Sequence, residues 1–181
     1  MRRRSLDRIL SVTGLVLAIV LAVGGILLMW GGNFAHSTVS TELSGQKISF
    51  SADPASLPPE LASWAGVAVN DGPSAKGYSD LISVHVMGVA GGKTYSEVSD
   101  EWIAGGRTDD ALAGQRTTLF MGESLRGMLL NAYAFWTIGT VAIIAAWGML
   151  GLAVVMLVLT LMGFAHLRKT TDADAVFVPA A

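Results

Sequence analysis

The sequence predicts an all-α membrane protein: an antiparallel pair of transmembrane helices, extended outside the bilayer as a stalk, with a small helical extracytoplasmic cap. Three observations lead there. Charged residues make up 14% of the 181, against about 25% in an average soluble domain. The apolar excess sits in two blocks, residues 9–29 and 128–164, with ordinary polar sequence between them. Arg2, Arg3, Arg4 and Arg8 precede the first block, and Arg168 and Lys169 follow the second. By the positive-inside rule both termini are then cytoplasmic.

Composition also narrows the function classes. The chain has no cysteine, which removes disulfide scaffolds, thiol catalysis and cysteine zinc sites. A formal net charge of −2 leaves no basic surplus to neutralise phosphates, so no nucleic-acid partner is expected. Neither apolar block holds an ionisable residue in its core, which argues against proton relays and ion-coupled transport.

Each block can be justified in turn. Residues 9–29 carry no charge and make roughly 31 Å of helix, one hydrocarbon thickness. Trp30 closes the run at the level of an aromatic belt. The apolar run is longer than that of a signal peptide, and the one weak cleavage-like spot is Asn33-Phe34-Ala35, so an uncleaved anchor is expected. Residues 128–164 would make roughly 55 Å of helix, too long for one crossing. A hairpin would have to turn at the apolar stretch 147–151 and would carry Arg168 and Lys169 outside. A single helix that projects beyond the membrane is the better reading.

Setting Arg8 level with Arg168 places Trp30 near Trp147 at one outer interface. The expected organisation is a cytoplasmic tail (1–8), a first span (9–30), an extracytoplasmic region (31–147), a second span (148–167) and a cytoplasmic tail (168–181). The outer region divides into stalk extensions, 31–44 and 117–147, around a helical cap, 46–116. Gly45 is the expected stop of the first stalk helix, and the Gly31-Gly32 pair invites a kink. Residues 170–181 are expected to be disordered. Gly14, Ala18, Ala22 and Gly25 form a small-residue stripe that lets backbones approach, and the register brings Gly151 near Gly25. This seam would serve the helix pair or a homo-oligomer.

The cap reads as short helices with clear punctuation. Lys47-Ile48-Ser49-Phe50 suits a short extended piece, and Pro58-Pro59-Glu60 opens a helix through Trp64 that ends at Gly66. From Pro73, Tyr78, Leu81, Ile82, His85, Val86 and Val89 follow helical spacing up to Gly91-Gly92. Thr94-Tyr95-Ser96-Glu97 is a capping box for a helix through Ile103. A last helix begins near Asp109, with an apolar stripe of Met121, Leu125, Met128, Leu129, Ala132 and Trp136, while Arg116, Glu123 and Arg126 lie on other faces. Glu123 and Arg126 are spaced to pair.

The run Gln115-Arg116-Thr117-Thr118-Leu119-Phe120-Met121-Gly122-Glu123-Ser124-Leu125-Arg126-Gly127-Met128-Leu129-Leu130-Asn131-Ala132-Tyr133 resembles the hallmark of a family of uncharacterised actinobacterial two-span membrane proteins. Gly91-Gly92-Lys93-Thr94-Tyr95-Ser96-Glu97-Val98 and Gln46-Lys47-Ile48-Ser49-Phe50 resemble the same pattern. The resemblance implies a membrane protein with no assigned chemistry. Some members carry the name of an aromatic ring-opening dioxygenase subunit. That chemistry needs iron on two histidines and a carboxylate, and the residues here argue against it. His166 ends the second span on the cytoplasmic side, His85 reads as a packed core residue, and His36 as a structural residue near the membrane interface.

Other motifs fail as well. Met121-Gly122-Glu123-Ser124-Leu125 lacks the second glycine of a nucleophile elbow. Gly91-Gly92-Lys93-Thr94 has Met87 where a phosphate loop needs its first glycine, and reads as a helix C-cap. Asp100-Glu101 and Asp109-Asp110 lack the spacing of a calcium loop and read as solvated helix ends. No enzymatic activity, cofactor or metal is expected. The leading expectation is a non-enzymatic structural or accessory component of the cell membrane, assembling with itself or with a larger membrane complex. The alternative is an extracytoplasmic module for a lipid or other hydrophobic ligand, with a pocket lined by Tyr78, Ile82, Leu129, Tyr133 and Trp136.

Overall fold

The computed structural model describes residues 3–169; the tail at 170–181 lies outside the described residues. Four helices account for most of the chain: α1 (Arg3–Gln46), α2 (Gly72–Val89), α3 (Tyr95–Ala104) and α4 (Asp110–Leu167). Two 3₁₀ turns, Pro54–Ser56 and Pro59–Trp64, lie between α1 and α2. Block 128–164 is therefore one uninterrupted helix rather than a hairpin. α1 and α4 are both long and apolar enough to cross a membrane. The chain divides into two compact units, and each long helix contributes to both.

The first, the two-helix unit, comprises the described parts of Met1–Asn33 and Thr140–Ala181. Its buried positions are small. On α1 they are Ser11, Gly14, Ala18, Gly25 and Gly32; on α4 they are Ala146, Ala153 and Thr160. Ser11, Ala18, Gly25 and Gly32 recur every seven residues, as do Ala146, Ala153 and Thr160. A strict seven-residue period is the spacing of a left-handed helical supercoil. The contact is close. A Cβ on Gly14 would lie 2.6 Å from Thr160 Oγ1, and one on Gly163 would lie 2.6 Å from Ser11 Oγ.

These contacts slide the pairing by about two residues from the register the charges suggest. A Cβ on Gly25 would meet Leu150 Cγ at 2.8 Å and the Ala146 carbonyl oxygen at 3.3 Å. Gly151 is exposed, with open space where its side chain would start, so it lies off this contact. Ala18 and half-buried Ala22 line a shallow hollow with Leu150 and Ala153. The Gly31-Gly32 pair sits inside continuous α1, where Gly32 continues the buried heptad positions.

The second, the core unit, is Phe34–Gly139. Its main core gathers Val39 and Leu43 of α1, Phe50, Leu57, Leu61 and Val69 of the connecting segment, Ala75 and Leu81 of α2, and Leu129 of α4. Phe50 stacks on Trp64 at 5.5 Å and meets Tyr78 edge-on at 5.2 Å. A second cluster joins Val86 and Ala90 to Val98 of α3 and Leu119 of α4. Gly122 makes that junction close, because any Cβ there would run into Val86.

Local rules set the boundaries. α1 passes through Gly45 and ends at Gln46, and Lys47 takes the left-handed conformation (φ 55°) expected of a glycine. The turn is fixed downstream instead: Val69 N–H donates to Ile48 O and Phe50 N–H to Val67 O, both at 2.9 Å. These bonds leave one isolated antiparallel bridge, Ser49 to Ala68. Asp71 caps α2 by accepting from Ser74 N at 2.8 Å. Thr94 and Glu97 form the capping box of α3, and Asp109 Oδ1 accepts from the first amides of α4, those of Ala111 and Leu112.

Candidate functional site

The candidate site is an apolar groove of about 810 Å³ within the core unit, inside the usual size range of ligand pockets. One wall is α1, where Phe34, Thr38, Glu42 and Gln46 recur every four residues and so share a face. Ala35, Val39 and Leu43 form the adjoining row. The facing wall is α4, through Leu125, Met128, Leu129, Ala132 and Phe135, and the floor is Ile48 with Tyr78 and Ile82 of α2. Phe34 and Phe135 are each 60% exposed, and Met128 is 68% exposed. Large apolar side chains thus stand open around a concave surface, a pattern associated with binding.

Of the five sequence-derived pocket residues, Tyr78, Ile82 and Leu129 line the groove. Tyr133 and Trp136 do not. Trp136 is drawn into packing instead: His36 stacks on its ring at 3.9 Å and 5° between planes, and His36 Nε2 lies 3.0 Å from its carbonyl oxygen. The missing side chain of Gly72 admits the indole, since a Cβ there would sit 2.5 Å from it. Of the stripe on α4, Leu129 is buried, while Met121, Leu125 and Met128 are more than half exposed. The α1 wall escaped the sequence reading, although its four-residue period was present in it.

A second cluster is polar and lies where α3 meets α4. The Arg116 guanidinium carbon is 4.2 Å from the Trp102 ring centre and 5.7 Å from that of Tyr95. Its Nε donates to Ser99 Oγ at 3.0 Å and its Nη2 to Tyr95 Oη at 3.3 Å. The Arg116 hydrogen bond, helped by one from Ser99 and by the arginine's charge, holds the Tyr95 phenol below its ordinary range. The arginine, its charge satisfied by an aromatic face and two hydroxyls, acts as a strut between two helices.

The histidines fall apart from one another. His85 is exposed rather than packed in the core, because the buried face of α2 runs through Leu81 and Val86. His166 is exposed in the last turn of α4, and His36 is on Trp136. Among the described residues no three His, Asp or Glu side chains gather as a metal-holding group. Glu101 pairs with Lys93 at 2.7 Å, and Glu123 with Arg126 at 2.7 Å. No protein family, curated protein or solved structure matches the chain.

Proposed function

We propose that this chain is a non-enzymatic, multi-pass protein of the cell membrane, with both termini cytoplasmic and residues 31–147 outside. Its core unit binds the apolar chain of a lipid or similar amphiphile. The observation that carries this reading is the groove: large exposed side chains from α1 and α4 border a concave apolar surface of ligand size. The kinship suggested by residues 115–133 is compatible with it and adds no chemistry.

The test uses the full chain in nanodiscs, with retained lipid identified by mass spectrometry. Thr38 is exposed on the groove wall, so Thr38→Trp fills the groove without entering the core. A lipid species enriched over the disc lipid, and lost in T38W, is the expected result. Identical retention in both proteins overturns the reading. The cysteine-free background gives the topology test. A cysteine introduced at exposed Ser56 is labelled from outside intact cells and one at Lys169 is not.

A second reading, assembly with a partner chain, is favoured by Phe120, 62% exposed, and Met121, 53% exposed, neither of which lines the groove. The small-residue stripe gives this reading less support, because Gly14, Ala18 and Gly25 are buried within the two-helix unit of a single chain.

A further inference from the structure

We infer that the groove selects its amphiphile by head-group charge, taking a single long apolar chain whose head is cationic, such as a primary ammonium, and seating that head at Glu42. The inference rests on the proposed reading of the groove as an amphiphile site. The groove's α1 wall runs from Phe34 to Gln46, about 18 Å at the helical rise. Its polarity is divided along that length. Phe34 and Phe135 stand at one end of the lining segments and offer nothing but ring faces. Toward the other end α1 presents Glu42 and then Gln46.

Glu42 is the charged side chain in the lining, and no lysine or arginine lines the groove among the described residues. Asp80 pairs with Lys76, Glu101 with Lys93 and Glu123 with Arg126, and none of these carboxylates lines the groove. An exposed carboxylate over an apolar surface attracts an ammonium and repels a carboxylate or phosphate head. Gln46, one turn further on, adds an amide that can accept from the same head or donate to a neighbouring hydroxyl. Because Phe34 is the groove residue of α1 nearest in sequence to the apolar span and Gln46 the farthest, the chain would lie with its tail toward Phe34 and its head toward Gln46.

The absence of cysteine makes the test direct. Thr38→Cys places a single thiol on the groove wall of the full chain in phosphatidylcholine nanodiscs, and a cysteine at Ser56 serves as the control. Protection of that thiol from a maleimide is titrated with tetradecylamine and with tetradecanoate. Tetradecylamine is expected to protect at about fivefold lower concentration. Adding Glu42→Gln brings the two amphiphiles level, and Glu42→Lys reverses their order, while the Ser56 control is unaffected throughout. Equal protection by both amphiphiles in the Glu42 protein overturns the charge selection and leaves the amphiphile site standing. Protection by neither overturns both.

Discussion

The two units solve opposite packing problems. In the two-helix unit the buried side chains are serine, glycine, alanine and threonine, while Val20, Leu27, Val154 and Leu161 are about 60% exposed. In the core unit the order is the familiar one, with Phe50 at 2% and Leu119 at 1% exposure. The contrast is the one expected between helices packed against lipid and a core packed against water. In water, burying a large apolar side chain is the main driving force. Against lipid tails that force vanishes between helices, and close backbone approach through small residues takes its place. The relation between side-chain size and burial is therefore reversed in the two-helix unit and ordinary in the core unit.

The largest expected effect breaks one side of the comparison and spares the other. Phe50→Ala removes a ring held between Trp64 and Tyr78 and should destabilise the core unit by about 3–5 kcal/mol. Hydrogen exchange in nanodiscs should show lost protection in α2 and around Leu129, with residues 9–29 and 148–164 unchanged. Loss of protection in both sets together would mean that the two units unfold as one.

A smaller effect tests the seam. Gly25→Leu forces a side chain against Leu150 and the Ala146 carbonyl, an overpacking expected to cost about 1–3 kcal/mol. Gly151→Leu enters open space and should leave the thermal melting of the detergent-solubilised protein within error of the parent. A leucine is the more apolar residue in both variants. If both raise stability alike, hydrophobicity governs the two-helix unit and the contrast with the core unit fails.

The legible part of this fold follows the same division. Length and apolar content are enough to find both long helices, charge favours a single helix over a hairpin in 128–164, and the Thr-x-x-Glu spacing places the α3 capping box at Thr94 and Glu97, because those signals are local. The pairing differs by about two residues from the register that levels Arg8 with Arg168, because it is fixed by which small residue admits which backbone. Glycine at 45 suggested a helix end that tertiary contacts moved to Lys47, where Ile48 and Phe50 are bound to the 67–69 strand-like segment. Tyr78, Ile82 and Leu129 follow from periodicity, but nothing local says that Trp136 packs against Gly72 and His36. The α1 wall is hidden because a helical pattern over 31–44 does not say which of its faces meets a neighbour.

The smallest effect sharpens the comparison at a helix end, where solvent matters most directly. Glu97 Oε2 accepts from Thr94 N at 2.7 Å and from Thr94 Oγ1 at 2.8 Å, while Glu97 N donates back to Thr94 Oγ1 at 3.3 Å. The backbone hydrogen bond from Thr94, then its hydroxyl, holds the Glu97 carboxyl below its ordinary value. A carboxyl depressed in the folded state contributes stability that is fully present above its unfolded value and is lost as pH falls through the folded one. The first turn of α3 should accordingly fray on acidification below the ordinary glutamate range. Glu97→Gln keeps a capping-box acceptor and should remove that acid sensitivity, whereas Glu97→Ala should fray the turn at every pH. The carboxyl carbon shift of Glu97, followed by NMR, should titrate below the ordinary glutamate midpoint and move back toward it in Thr94→Val. An ordinary midpoint in the parent would show that water, rather than the Thr94 amide, solvates this carboxylate, and that the core unit's helix ends are set by packing as the spans are.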